Sequence, residues 1–550
     1  MDVKETMDEL QLIEAHSQFC DKTISDAIKP GDSEIQSFYY GTTVFVTGGS
    51  GFLGKQLVEK LLRATNVSKI FILLRSKKGK DFQERIKEIL QDTVYDYVRE
   101  HHPGFERKLV PIAGDVAELR LGMCDSDWNN VAEETDVIFH LAATTRFDEP
   151  LRVATFINVR GTREMIALGT ECRKLKSFVH VSTAYSNATN NKTNNDILEE
   201  FYKSPVDPEA LIRLVETVED MRLNGIKADF IKGWPNTYSF TKAVAEELIR
   251  IKGKHLPVCI LRPAIVICSY REPTLGWLDK SCVYGATGLV LGCALGAIHV
   301  VYMNNDMKSG LIPIDYVNNA TIVAGWDTAK RREDLDNKEV KIYNIVSSNR
   351  NPMTWGTMHG LFSSAASKYP LPDAIWWSFF IFTANPFLFF TYNLIFHFIP
   401  AYIIDGILFI LRKKMMAVKL VKKFTNMMKA LSYFTLKEWN FKDRNAAELY
   451  GKLSSIDKQI FEFDPITINW NIFMLVWAMG VRINILKDGF TISDYRNKKQ
   501  IVFRILTLMV IGPLYLYMIY KLAFFMLLAI WYVTDIITCV WILHSYFFLS

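Results

Sequence analysis

The sequence predicts an α/β protein: a doubly wound parallel sheet, then a mainly helical C-terminal domain and a C-terminal membrane segment. Three observations predict it. Thr42-Thr43-Val44-Phe45-Val46 is β-branched and aromatic without a break, as a buried parallel strand is. It runs into Thr47-Gly48-Gly49-Ser50-Gly51-Phe52-Leu53-Gly54, after which Leu53, Leu57, Leu61 and Leu62 mark a helix packed on a sheet. Further strand-like segments follow in order at Lys69–Leu74, Leu109–Val116 and Val137–Ala143, and the apolar content is concentrated late in the chain. Glycines at 49, 51 and 54 allow a tight turn, close backbone approach to a pyrophosphate and close helix–strand packing. The helix N-terminus adds unpaired amides and a positive dipole end for the phosphates. Strand, loop and helix in this order specify a Rossmann-type dinucleotide site.

The second strand ends in Arg75, with Lys77 and Lys78 following. A site for NAD wants a carboxylate about 20 residues after the loop for the ribose hydroxyls, whereas one for NADP wants or tolerates Arg. Arg75 stands 21 residues past Gly54, and no Asp or Glu occurs from Lys69 through Lys80, so NADPH is the expected cofactor. The third segment ends in Asp115 and Val116, a short acid suited to the adenine edge. The fourth ends in small residues at Ala142 and Ala143, where a nicotinamide ribose can approach the backbone.

Downstream, Tyr238 and Lys242 lie in a segment of good helix formers, at i and i+4 on one face. A free tyrosine, with a pKa of about 10, is a poor acid at neutral pH. A nearby ammonium stabilises the phenolate, so Tyr238 can give a proton to a developing alkoxide. That is what a nicotinamide hydride donor needs opposite it.

At 550 residues the chain exceeds one compact core, and two or three units are expected. A net charge of +5 without a Lys/Arg–aromatic ladder gives no reason to invoke nucleic acid. The eight cysteines contain no CxxC; they suit a reduced compartment and suggest neither a metal site nor a disulfide framework. No secretory signal is read at the start, and residues 1–40 are expected to form a polar, mobile extension.

Between Ala374 and Leu411 only Asp405 carries a formal charge, and Pro386 and Pro400 are expected to divide the run. Leu522–Leu543 is long enough to cross a bilayer, since about 20 residues span its core, although Asp535 must be offset there. Ile505–Tyr520, with Gly512-Pro513, reads as the first leg of a hairpin or as an interfacial helix, so one span and a hairpin both stay open. The cations between Lys487 and Arg504 belong in the cytosol, which places the catalytic unit there. Arg412–Lys423 alternates cations with apolar residues at near-helical spacing; it is either a helix resting on an anionic membrane or a solvated helix face.

The motifs resemble those of the extended short-chain dehydrogenases/reductases and, more narrowly, of the fatty acyl-CoA reductases. The matching pieces are the glycine loop, Asn158-Val159-Arg160-Gly161-Thr162, Phe178–Tyr185, Tyr238-xxx-Lys242 and Leu261-Arg262-Pro263. The narrower resemblance comes from the 55 residues between Thr183 and Tyr238, with Leu198-Glu199-Glu200 and a helix around Pro208–Met221 inside them. It continues through Pro400-Ala401-Tyr402, Tyr433-Phe434-Thr435, Glu438–Phe441 and Trp470.

The resemblance implies that Thr183, or alternatively its neighbour Ser182, hydrogen-bonds the reacting oxygen. Asn158 would hold a helix kink or a water relaying protons toward Lys242, and Lys242 would also bind the nicotinamide ribose. Pro263 would face the nicotinamide. It implies a Rossmann catalytic domain over 41–350 and a helical acyl-CoA reductase domain over 351–490, while the apolar run gives a membrane anchor over 501–550; within the second half, Pro352–Leu486 is either an acyl-binding channel or simply a helical core. The implied reaction is two-step reduction of long-chain acyl-CoA to the primary alcohol; the endoplasmic reticulum is preferred to the peroxisome as its place, but the organelle is not legible in the sequence. A membrane-bound steroid dehydrogenase and a non-catalytic nucleotide-binding scaffold are the alternatives. Oligomeric state and chain-length preference are not legible.

Overall fold

The computed structural model describes residues 11–21, 33–75, 82–189, 195–283, 285–333, 339–368, 371, 373–488 and 494–548. Seven parallel strands form the main sheet: β1 Thr43–Thr47, β2 Lys69–Leu74, β3 Leu109–Ala113, β4 Val137–His140, β5 Ser177–Val181, β6 Val258–Pro263 and β7 Lys341–Ile345. Their order across the sheet is β7-β6-β5-β4-β1-β2-β3. Strand order therefore reverses beside β1, whose neighbours are β2 (Thr43 opposite Lys69) and β4 (Val44 opposite Val137). In such sheets ligands bind at this switch point, beyond the carboxyl ends of the strands.

Both faces are covered. Val44, Val46, Ile70, Phe139 and Leu261 pack on one side, while Phe45, Phe71, Ile138, Phe178 and Ile260 pack on the other. Period-two alternation between two buried layers is why these strands read as unbroken apolar runs. Helices α2 Phe52–Ala64 and α5 Ile314–Glu333 cover the first face; α3 Gly161–Glu171 and α4 Thr237–Leu248 cover the second. The segment ahead of β1 does not match the expected loose extension. Residues 11–21 are helical, and α1 (Glu34–Tyr39) buries Ile35 and Tyr39 completely, with the Tyr39 hydroxyl donating to the Ile322 carbonyl at 2.7 Å. The remainder of residues 1–32 lies outside the described set.

The change at residue 350 is one of secondary structure, not a gap in packing. One hydrophobic cluster runs from Ile35 to Val481, and short parallel pairs join Asn440–Phe441 to Asp196–Ile197 and Ile381–Thr383 to Val300–Tyr302. The insert after β5 holds two helices, Pro208–Thr217 and Asp220–Phe230, in place of the expected one.

Two expected interruptions are absent. Pro386–Ile410 is one continuous helix, α6, because a π turn over Leu394–Phe398 absorbs Pro400 at the start of the next turns. Likewise, a π turn at Thr507–Ile511 leads from helix Asp494–Leu506 into α9 (Gly512–Phe548), so Gly512-Pro513 makes no hairpin. Arg412–Met416, expected to be helical, is instead the connection to α7 (Ala417–Thr435). The Asp405 carboxylate accepts from the amides of Met416, Ala417 and Val418 at 2.9, 2.9 and 3.0 Å, which caps α7. α8 (Trp470–Gly480) completes the C-terminal region.

Beneath the sheet, buried Lys60 and Arg63 of α2 both bond Glu272, and Lys60 also donates to the Ile460 carbonyl. Burial alone would raise the Glu272 pKa; the two cations reverse this and hold it at about 2, against an ordinary 4.5. A depressed carboxylate contributes stability that is complete above its unfolded pKa and is lost as pH falls through the folded one. Denaturant unfolding across pH is therefore expected to show stability declining from about pH 4.5 toward pH 2. Glu272→Gln, which leaves buried Lys60 without its carboxylate partner while Arg63 keeps Glu59, is expected to cost about 3–5 kcal/mol at neutral pH and to flatten that decline.

Candidate active site

The glycine loop joins β1 to α2. Gly48 has φ +76°, and a Cβ there would stand 2.8 Å from the Ala142 amide; one on Gly54 would stand 2.1 Å from the Gly48 carbonyl oxygen. The left-handed turn thus falls on Gly48, ahead of the three glycines at 49, 51 and 54. The Gly51 amide donates to the Gly48 carbonyl at 2.9 Å, and Gly51 caps α2 without a side chain. Strand, side-chain-free turn and helix N-terminus in this order fit a dinucleotide pyrophosphate. Thr47, Ser50, Phe52 and Leu53 complete the turn.

Behind it runs a buried polar chain. The Ala142 amide donates to Thr47 Oγ1 (3.3 Å), which lies 2.7 Å from His140 Nδ1. His140 Nε2 is 3.2 Å from Thr162 Oγ1, whose hydroxyl donates to the Asn158 carbonyl at 2.8 Å. With the Thr162 proton spent there, His140 must donate through Nε2 and accept through Nδ1. Burial, then the Lys242 charge, push its pKa down to about 3, so it stays neutral.

Asn158 sits in a π turn, Phe156–Arg160, directly before α3. Its amide accepts from Thr144 N at 3.0 Å and donates to Thr144 O and Thr241 Oγ1 at 3.2 and 2.9 Å, and so ties the loop after β4 to α4. These bonds reach Thr241, the neighbour of Lys242, rather than Lys242 itself.

α4 starts at Asn236, whose side chain accepts from the Ser239 amide at 2.8 Å. Lys242 is buried, and its Nζ donates to the Val181 carbonyl at 2.8 Å; burial lowers its pKa to about 8 against the opposing pull of Glu246. Tyr238, one turn earlier, is half-buried with its ring stacked on Phe147, centroids 6.5 Å apart. Phe147 in turn meets Phe434 of α7 at 5.5 Å, and Phe434 meets Tyr185 at 4.9 Å. The C-terminal region thereby reaches the catalytic face.

Ser182 and Thr183 part company at the end of β5. Ser182 Oγ donates to Glu246 at 2.5 Å, whereas Thr183 Oγ1 lies 3.5 Å from the Pro263 carbonyl and accepts from the Tyr185 amide at 3.3 Å. Glu246 is the residue that sequence reasoning passed over. Its buried carboxylate takes Arg262 Nε and Nη2 at 3.0 and 2.6 Å and Ser186 Oγ at 3.0 Å, and Arg262 also donates to the carbonyls of Leu198 and Glu200. A charged Arg inside the apolar strand Val258–Pro263, with an acid one turn past Lys242, is the signal that would have found the pair.

The remaining expected residues lie around the sheet's carboxyl edge. Asp115 accepts from the Ala117 amide at 2.9 Å, closing the turn after β3, and Val116 is buried beside Gly161. Arg75 is exposed just beyond β2; Lys77 and Lys78 lie outside the described residues. No metal-binding group of His, Cys, Asp and Glu occurs among the described residues.

Sheet, cradle and the Tyr–Lys face together define an oxidoreductase that uses a nicotinamide cofactor. The male sterility protein family models match residues 46–321, as an NAD-binding domain, and 396–488, as the Sterile domain. "Fatty acyl-CoA reductase wat" of Drosophila melanogaster is 34% identical over 482 residues, covering 88% of this chain and 90% of its own. "Fatty acyl-CoA reductase 1" of Xenopus laevis is 33% identical, covering 82% and 86%, and its Homo sapiens namesake is 32% identical with the same coverage. The chain belongs to the fatty acyl-CoA reductase family. In fold it is similar to the terminal R domain of the myxalamid PKS-NRPS pathway (TM-score 0.53, 20% identity, covering 85% of this chain and 98% of that one). A nonribosomal peptide synthetase R domain from Mycobacterium tuberculosis is a comparable neighbour (TM-score 0.52, 17% identity, 84% and 95%).

Gly54→Ala is expected to weaken cofactor binding by about tenfold or more, roughly 1.4 kcal/mol, because its methyl group displaces the Gly48 carbonyl that shapes the cradle. Equilibrium titration of both proteins with the dinucleotide, followed by nucleotide fluorescence, measures this; equal affinity would show that the cradle yields without consequence.

Proposed function

We propose that the chain reduces long-chain fatty acyl-CoA to the primary alcohol through the aldehyde, with NADPH as reductant. The observation that carries this reading is the Tyr238–Lys242 face of α4, with Lys242 Nζ on the Val181 carbonyl two residues before Thr183, in a chain of this family. The family also decides against the steroid and scaffold alternatives. When bound, the cofactor supplies hydride equivalents, one for each step. The glycine loop, Arg75, Asp115, Val116, Ala142, Lys242 and Pro263 would hold it.

Thr183 and Tyr238 donate hydrogen bonds to the carbonyl oxygen as it gains charge. In the first step the leaving group is a thiolate, whose conjugate acid has a pKa near 8.5, so holding the oxyanion matters more than giving up a proton. In the second step an alkoxide forms, and Tyr238 must give its proton to it. Lys242 has three N–H donors; one goes to Val181, leaving two for ribose hydroxyls while its charge stabilises the Tyr238 phenolate. Ser182, spent on Glu246, acts on position instead.

Arg75 supports NADPH, since it stands at the end of β2 with no carboxylate between it and Lys69. Membrane attachment rests on two helices. Among the described residues Pro386–Ile410 is long and apolar enough to cross a membrane, with mean hydropathy 1.7. The expected span Leu522–Leu543 falls within α9, whose described apolar stretch is Phe524–Thr538, exposed throughout; side chains at 522, 523 and 539–543 lie outside the described set. This reading puts the catalytic body on the cytosolic side.

Tyr238→Phe retains the ring stacked on Phe147 and is expected to fold normally while losing about two to four orders of magnitude in alcohol formation. Chromatography of products from acyl-CoA and from free aldehyde checks this, and near-normal alcohol yield would remove Tyr238 from the mechanism. Arg75→Ala is expected to lose about 10- to 150-fold in NADPH affinity, the scale of a charge-assisted contact at roughly 1.5–3 kcal/mol, with NADH affinity little changed. Kinetics with both cofactors decide it.

A further inference from the structure

The buried stripe of α6 consists of Phe389, Asn393, His397, Ala401 and Asp405, each four residues after the last. Its polar members are all engaged. Asn393 donates to Thr425 Oγ1 of α7 at 3.1 Å, His397 Nε2 accepts from the His299 amide at 2.8 Å, and Asp405 caps α7. The outward faces carry Phe387, Phe390, Tyr402, Ile403, Phe409 and Ile410, between 58% and 79% exposed. A helix on a water-soluble surface has the opposite arrangement, with polar groups outward. Here the polar groups face the protein and the apolar ones face away.

Two further observations identify what covers that face. Its tip and the following turns of α7 are ringed by exposed Arg412, Lys413, Lys414, Lys419, Lys422 and Lys423. Apolar surface bordered by cations matches the acyl layer and anionic headgroups of a bilayer. The segment just before α6 also meets the base of the C-terminal helices: Trp376 stacks on Phe503 at 5.3 Å and Arg504 lies over Trp377 at 5.7 Å, while Phe379 stacks on His299, which bonds the buried side of α6. Although α6 is about 37 Å long at 1.5 Å per residue, its stripe is engaged along its length, by His299 of the catalytic body and by Thr425 and the first amides of α7, so it does not cross alone.

We propose that the α6–α7 hairpin is a lipid-docking surface distinct from the C-terminal helix, seating the catalytic body on an anionic bilayer with the outward apolar face of α6 in the acyl layer and the cations around its tip at the headgroups. α7 then runs about 28 Å from the lysine-rich tip to Phe434 beside Phe147 and Tyr238, so acyl chains enter the site from the membrane side. This second clause rests on the reductase reading; the docking itself does not.

The test uses full-length protein in vesicles of phosphatidylcholine with one-fifth phosphatidylserine, carrying an environment-sensitive fluorescent amino acid at position 410 or, for reference, at the exposed position 221. α9 is intact in both, so attachment is equal. The position-410 probe is expected to emit at shorter wavelength and to lose most of its intensity to spin-labelled lipid, while the position-221 probe stays unquenched. Lys413→Glu with Lys414→Glu is expected to reduce that quenching severalfold and to raise KM for vesicle-borne acyl-CoA, leaving kcat on detergent-dispersed substrate unchanged. Equal behaviour of the two probes overturns the proposal, as does a position-410 probe that is shielded but insensitive to spin-labelled lipid, the sign of a protein partner or a second copy. Quenching needs no turnover, so an inactive enzyme would fault the reductase reading without touching the docking surface.

Discussion

The buried pair of Glu246 and Arg262 holds the catalytic face together. Two ions out of water are tolerable only when every charge is met, and each partner here is met several times over. The carboxylate takes two guanidinium bonds and two serine hydroxyls; the guanidinium reaches two further carbonyls in the insert. Those bonds connect α4, which carries Tyr238 and Lys242, to the end of β5, which carries Thr183, and to the end of β6, which carries Pro263. Residues far apart in sequence are thus fixed relative to one another by a single carboxylate. It also lies one turn from Lys242, where it offsets part of the cost of burying that ammonium.

A second line of polar groups plays the same part on the cofactor side. The run from the Ala142 amide through Thr47, His140 and Thr162 to the Asn158 carbonyl couples β1, β4 and the π turn before α3. A neutral imidazole serves because it donates at one nitrogen and accepts at the other; a charged one would sit uncompensated in the core beside Lys242. The approach of Gly48 to Ala142 is possible because this line draws the two strand ends together.

What was legible in the sequence was what depends on neighbours along the chain. The strands at 43–47, 69–74, 109–113 and 137–140, the glycine loop and the Tyr–Lys helix face are written in local patterning, and the structure places them accordingly. Arg262 was read only as part of a motif, since nothing local announces that Glu246 lies beside it. The helix Glu34–Tyr39 was missed because its burial comes from Ile322, nearly three hundred residues away. Pro400 was read as a break because proline removes an amide; a π turn supplied slack that composition does not encode. Arg412–Met416 carried a helical rhythm of charges, but the carboxylate of Asp405 fixed where α7 begins.

The bond from Lys60 to the Ile460 carbonyl joins residues 400 positions apart. Chains are synthesised at about 5–20 residues per second, so Lys60 leaves the ribosome roughly 20–80 s before its partner exists. Through that interval the sheet can form, but the surface that the C-terminal region will cover stays open, with buried-type cations and apolar side chains exposed together. Native packing is completed only when nearly the whole chain has been made, just before α9 emerges. The N-terminal sheet must therefore wait, partly uncovered, for a surface that is made last.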